Sequence, residues 1–269
     1  MHVSASVNYH VHKNEPQAFE FDVDGIIGNL IAPELVTTPI AVDDLRHKAH
    51  TTRFDTDGIA FVEQASAVKD FAPGNDWQAT YDAELAQLLK SKIGAKDVIV
   101  FDHTVRIDDP NAARRPARNV HNDYNEAGAV QRLIDIVGEE RAADFHNAGY
   151  GFVNIWRPIE HTIQSSPLGF IRPSSMTPND WMDFGLIYPV RFGQILGVAA
   201  NPAHEWFFKS EMTPDETIIF NIYDNTGRPH LAHSALDLPG DADVSIPRKS
   251  IESRTLVRYG SARHEARNP

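Results

Sequence analysis

Cysteine is absent from this chain. Its absence removes disulfides, thiolate zinc sites, iron–sulfur clusters and cysteine nucleophiles together. Any metal held by protein side chains must therefore sit on His, Asp or Glu. Basic residues are scarce, with 25 Lys and Arg against 37 Asp and Glu and a formal charge of −12. This balance argues against nucleic acid or an anionic membrane as partner, because phosphate binding needs a net basic footprint. It leaves room for a small-molecule anion held by a few buried arginines. No apolar run reaches the roughly 18 residues of a membrane span. The N-terminus also lacks a basic segment leading into a long apolar stretch, so the expectation is a soluble, cytoplasmic protein. Internal repeats and low-complexity tracts are missing too.

The chain does have apolar residues in quantity, 42% of 269, enough to bury the core of one domain. Residues 16–23 (PQAFEFDV) and 53–64 (RFDTDGIAFVEQ) read as strands. Over 77–93 the spacing of Tyr81, Leu85, Leu88, Leu89 and Ile93 predicts an amphipathic helix that stops at Gly94. DVIVFDHTVRI at 97–107 alternates and is β-branched, hence a strand; a second helix follows Asp123, with Ala129, Val130, Leu133, Ile134 and Val137 on one face. Beyond it, short strands separated by Pro- and Gly-bearing turns are expected at 152–159, 192–200, 204–210, 216–224, 228–236 and 250–260. The proline-rich stretch 165–189 reads as a long loop with at most one helical turn, and loops of that length tend to be functional. The pattern predicts a mainly β fold with flanking helices, a double-stranded β-helix or jelly roll. Residues 1–269 would form one domain, with a strand and helix flank over 1–95 and the jelly-roll core over 96–260.

Two islands carry the chemistry. His121-Asn122-Asp123 places two metal-capable side chains two apart, so on a strand both point to one face. His233 returns 112 positions later on a predicted strand, and Arg254 follows on the next. Two histidines and one carboxylate around an open coordination sphere form the facial triad of non-haem Fe(II) oxygenases. His230, three residues before His233, faces the other side of the same strand; His10, His12, His47 and His50 have ligand-like spacing but read as solvent-facing. Arg248, Ser250 and Arg254 share parity, and a planar guanidinium suits bidentate capture of a carboxylate such as the distal one of 2-oxoglutarate. Arg157, in Asn154-Ile155-Trp156-Arg157-Pro158, raises the same question for substrate.

The segments VHNDYNEAGAVQRL, FVNIWRPI, MTPDETIIFNIYDN, RPHLAHSALDLP and PRKSIESR resemble, in order, the fungal hydroxylase/desaturase proteins and the cephem 7α-methoxylase component of bacterial antibiotic pathways. The resemblance covers roughly residues 95–260. It implies an Fe(II)- and 2-oxoglutarate-dependent oxygenase that uses O₂ to oxidise an unactivated C–H of a small molecule in secondary metabolism. The outcome would be hydroxylation, desaturation or oxidative ring closure. His121, Asp123 and His233 match the metal ligands, and Arg254 resembles the cosubstrate arginine. Arg254 lies 21 residues beyond His233, so Arg248, at 15, competes for that role; Ser250 and Asn154 join them on the cosubstrate side. Tyr124, Trp156, Arg157, Tyr188, Arg191 and Trp206 are candidates for the substrate wall. The alternatives are a cosubstrate-free, cupin-like metalloenzyme and a non-catalytic component of a two-protein system. Substrate identity and oligomeric state stay open, a homo-oligomer included.

Overall fold

Period-two burial decides the layers of this molecule. The computed structural model describes residues 2–26, 29–48 and 52–260. The first quarter holds strands β1 (His2–His10), β2 (Gln17–Phe21), β3 (Leu30–Ile31) and β4 (Leu35–Asp44), a helical turn α1 (Phe54–Asp57) and β5 (Ile59–Glu63). Helix α2 (Gln78–Ile93), β6 (Asp97–Ile107), β7 (His121–Asn122), α3 (Glu126–Val137) and α4 (Glu139–Ala148) follow. Next come β8 (Tyr150–Pro158), β9 (Leu168–Ile171), β10 (Trp181–Tyr188) and β11 (Arg191–Val198). The chain continues through β12 (Trp206–Phe208), β13 (Glu216–Asp224), β14 (His233–Ala235) and β15 (Lys249–Arg258).

Among the described residues these strands make two sheets. One runs in the order β1-β4-β12-β9-β14-β7-β11-β10-β2-β3, the other β5-β13-β8-β15-β6. Phe170 and Phe207 of the first meet Phe152, Trp156, Ile218, Phe220 and Leu256 of the second in a shared core. This is the jelly roll that the strand pattern predicts. Helix α2 closes the outer face of the smaller sheet. Its stripe of Tyr81, Leu85, Leu88, Leu89 and Ile93 is buried against Val153, Ile155, Ile219, Ile251 and Val257, at roughly 1.5–3 kcal/mol for each large apolar side chain. Gly94, at φ 73°, ends the helix in a left-handed turn that costs glycine nothing. Strand β8 is therefore buried on both faces along its whole length, which is why FVNIWRPI carries apolar residues on both faces rather than on alternate positions. No described helix is long and apolar enough to cross a membrane.

Three expectations need correction. Residues 165–189 are not one long loop, because β9 and β10 take up about half of them; Trp181–Tyr188 alternates, with Met182 and Phe184 inward, a period hidden by the prolines and polar residues before it. Strands β1 and β4 have no counterpart in the sequence reading, yet they pair over nine registers and enter the larger sheet. His10, at the end of β1, is 1% exposed rather than solvent-facing and packs 4.4 Å from the Phe184 ring. His47 is exposed as expected, whereas His50 lies outside the described residues.

Candidate functional site

Strands β7 and β14 are only two and three residues long, and they meet antiparallel with His233 directly opposite His121. The two imidazoles stand 4.5 Å apart, centroid to centroid. Their ring tautomers are fixed by backbone. His121 Nδ1 lies 2.8 Å from the Asn119 carbonyl and His233 Nδ1 3.1 Å from the Leu231 carbonyl. A carbonyl only accepts, so each Nδ1 carries the proton and each Nε2 keeps its lone pair. Asp123, where the chain leaves β7 for α3, sets Oδ1 3.5 Å from His121 Nε2. One ligand atom from each of His121, Asp123 and His233 lies within 4.8 Å of the others. Burial, and then the repulsion that a protonated His121 would add, pulls His233 down to about 4, so it is neutral near pH 7. Close packing places the triad: Gly197 pairs with His121, and a Cβ there would stand 2.4 Å from Phe184 and 2.8 Å from His10.

The other oxygen of Asp123 is occupied. Oδ2 accepts from Asn154 Nδ2 at 2.9 Å and from Arg254 Nε at 3.1 Å. Burial alone would raise this carboxyl, but the Arg254 guanidinium holds it well below the usual carboxylate range. Arg254 also bonds Asp102 Oδ2 at 2.7 Å and stands 2.5 Å from Glu252 Oε1. Three carboxylates thus surround one guanidinium.

Arg248 sits in the opposite situation. It is 2% exposed, and its partners are the Ser166 carbonyl and Ser250 Oγ, the latter at 3.3 Å, both neutral. Trp156 lies beneath it, 5.1 Å from guanidinium carbon to ring centroid. Arg106 comes from β6, whose register sets it across from Ser250. Burial, and then the like charge of Arg106, pulls Arg248 down to about 9. Arg106, Arg248, Glu252, His121, His233 and Leu168 line one narrow crevice. Asp108 and Glu252 act on Arg248 from farther off, but its hydrogen-bond partners are neutral, and with a second cation beside it the guanidinium can receive an anion.

The other residues singled out in the sequence fall into two groups. Asn154, Ser250, Trp156 and Tyr124 stand at the centre. The Tyr124 ring packs 4.9 Å from Phe152, and burial pushes its hydroxyl up to about 12. Arg157 projects from the opposite face of β8, with its guanidinium 5.6 Å from the Tyr81 ring of α2. Trp206 donates to Tyr9 in a separate cluster outside the barrel. Tyr188 stacks on Phe21 at 4.4 Å. His230 packs on Trp181 at 4.9 Å, apart from the triad. Arg191 begins β11, and its side chain lies outside the described residues. Sequence reasoning missed Arg106 and Asp102, whereas Glu252 stands in the sequence as a salt-bridge partner for Arg254, which it is. The first two reach the site only through the pairing of β6 with β15, for which a single sequence gives no signal. Glu252 shares the parity of Arg248 and Arg254 and was legible in that respect.

Comparison with known proteins sets this geometry in context. A protein-family model described as an oxidoreductase/YMDC permease-like domain matches residues 8–258. Hydroxylase/desaturase efuI of Hormonema carpetanum is 30% identical over 261 residues, which span 85% of this chain and 86% of that protein. Fe(II)/2-oxoglutarate-dependent dioxygenase nvfI of Aspergillus novofumigatus is 26% identical over 234 residues, 81% of this chain and 82% of its own. A solved structure of the iron and alpha-ketoglutarate-dependent endoperoxidase NvfI superposes with a TM-score of 0.85 at 20% identity, covering 96% of this chain and 98% of that one.

Proposed function

Because the chain belongs to the hydroxylase/desaturase family of Fe(II)/2-oxoglutarate-dependent oxygenases, we propose which of its residues hold the iron, the cosubstrate and the substrate. The protein is a non-haem iron dioxygenase that consumes 2-oxoglutarate and O₂ to oxidise a small molecule. In this reading residues 1–269 work as one oxygenase domain, since strands from both halves of the chain share each sheet.

His121, Asp123 and His233 are the iron ligands. The donor set fits Fe(II): two imidazole nitrogens with free lone pairs and one carboxylate oxygen. Asp123, held ionised by the neighbouring Arg254 guanidinium, supplies the anionic ligand that a divalent cation takes. When bound, the iron supplies dioxygen activation and C–H oxidation, coupled to conversion of 2-oxoglutarate to succinate. Asn154 and Arg254 hold Asp123 Oδ2, so that Oδ1 alone is presented to the metal.

Arg248 is the anchor for the distal carboxylate of 2-oxoglutarate, with Arg106 adding charge and Ser250 holding the guanidinium in place. The observation that carries this assignment is the contrast in partners: Arg248 has neutral ones, whereas Arg254 is engaged by three carboxylates. Tyr124 and Phe152 form the substrate wall together with Phe101, over which Arg132 lies at 4.8 Å. Aromatic walls orient an apolar skeleton, and orientation decides which hydrogen is removed.

Anaerobic titration with Fe(II) and then 2-oxoglutarate tests the assignment. The weak visible charge-transfer band of the bound cosubstrate appears in the wild type and is lost in His121→Ala. In Arg248→Met, iron still binds, but the 2-oxoglutarate needed to develop the band rises at least tenfold. An unchanged titration in Arg248→Met overturns the assignment.

A further inference from the structure

Arg157 carries a charge that the iron centre does not use. It is 2% exposed on the outer face of β8, beneath α2. Its Nε and Nη1 are buried without a hydrogen-bond partner, and among the described residues no carboxylate pairs with it. Glu84 of α2 is already engaged, accepting from Ser66 Oγ at 2.6 Å and from the Ala67 amide at 2.8 Å. Thr217 of β13 stands beside Arg157. Ile218 pairs with Trp156 in the antiparallel ladder, so the next residue along each strand, Thr217 and Arg157, faces the same outer side. Thr217 is fully buried, and its hydroxyl also lacks a partner.

An arginine does not shed its proton to escape burial, and an isolated buried cation is strongly unfavourable. Two guanidinium nitrogens and one hydroxyl on this shared face are thus without partners. We propose that Arg157 and Thr217 bind a monovalent, water-sized anion of the halide class, chloride under ordinary conditions, at the seam between α2 and the smaller sheet. The near-complete burial of both residues excludes a carboxylate carried on a larger molecule. The anion neutralises Arg157 and ties β8 to β13 beneath the helix. It thereby stiffens the strand whose inner face presents Trp156 to Arg248 and Asn154 to Asp123.

Crystals grown in sodium bromide test the proposal directly. The expected result is an anomalous bromine peak within hydrogen-bond reach of Arg157 Nη1 and Thr217 Oγ1. An ordered water there, with no anomalous signal, overturns it. In solution, the wild type should melt about 2–4 °C higher in chloride than in gluconate at equal ionic strength, a shift typical of a modestly stabilising ligand. Thr217→Val keeps the side-chain shape while deleting one donor, and it should reduce that difference. A chloride effect of the same size in Thr217→Val and Arg157→Met overturns the assignment to these residues.

Discussion

Replacing Arg254 by methionine removes the guanidinium and keeps much of the side-chain volume. In the apo-protein the loss leaves Asp123 and Glu252 without their main counter-ion; their side chains are 13% and 7% exposed. Breaking a buried ion pair from one side costs about 3–5 kcal/mol. In a chain of this length that corresponds to a melting point about 6–20 °C lower. The effect on metal is separate. Without Arg254 Nε, Asp123 Oδ2 keeps only Asn154 and the carboxylate can swing, so Fe(II) affinity should fall about 10–100-fold. Added metal should recover part of the lost stability, because a divalent cation replaces the missing positive charge. Melting with and without Fe(II) under argon, a metal titration, and the 2-oxoglutarate KM at saturating iron read the three quantities independently. The reasoning is refuted if Arg254→Met melts and binds iron as the wild type does but loses 2-oxoglutarate affinity, since Arg254 would then be the cosubstrate anchor.

Three further outcomes are expected. His121→Ala should abolish stoichiometric Fe(II) binding while leaving the circular dichroism of the folded chain intact; retention of one tightly bound iron would contradict the ligand set. Gly197→Ala drives a methyl toward Phe184 and His10, and overpacking of this kind costs about 1–3 kcal/mol, to be checked by urea denaturation. Burial, and then the charge of His121, lowers His10 to about 4 from 6.5. Between these values the unfolded chain binds a proton that the folded chain does not, so His10 makes stability fall as pH drops from 6.5 toward 4 and adds no slope above. Stability against pH for the apo-protein should therefore be flatter across that window in His10→Gln; an identical slope would rule out the contribution of His10.

Some elements were plain in the sequence for a physical reason. Helix α2 carries five large apolar residues at helical spacing, and β6 and β13 carry uninterrupted β-branched runs; periodicity survives wherever one face is buried. The triad was legible because ligand chemistry restricts residue type as well as spacing. The choice between Arg248 and Arg254 was not, since both share parity on β15. It turns on what the neighbouring strand sets beside each: Arg106 opposite Ser250, and Asp102 opposite Arg254. Such register is a property of two strands about 150 residues apart. Strands β1, β9 and β10 escaped notice because small, polar or proline-flanked residues carry much of their length.

The larger sheet is two blocks rather than one continuous fabric. On one side stand β1, β4, β12, β9 and β14; on the other β7, β11, β10, β2 and β3. Between β14 and β7 the ladder consists of the single His233–His121 pair, joined nearby by a backbone bond from the Ala235 amide to the Ala117 carbonyl and by isolated bridges from β1 at Asn8 and His10. Iron bound by both histidines would rivet the two blocks across their thinnest join. Loading the metal would then also brace the barrel at its thinnest ladder.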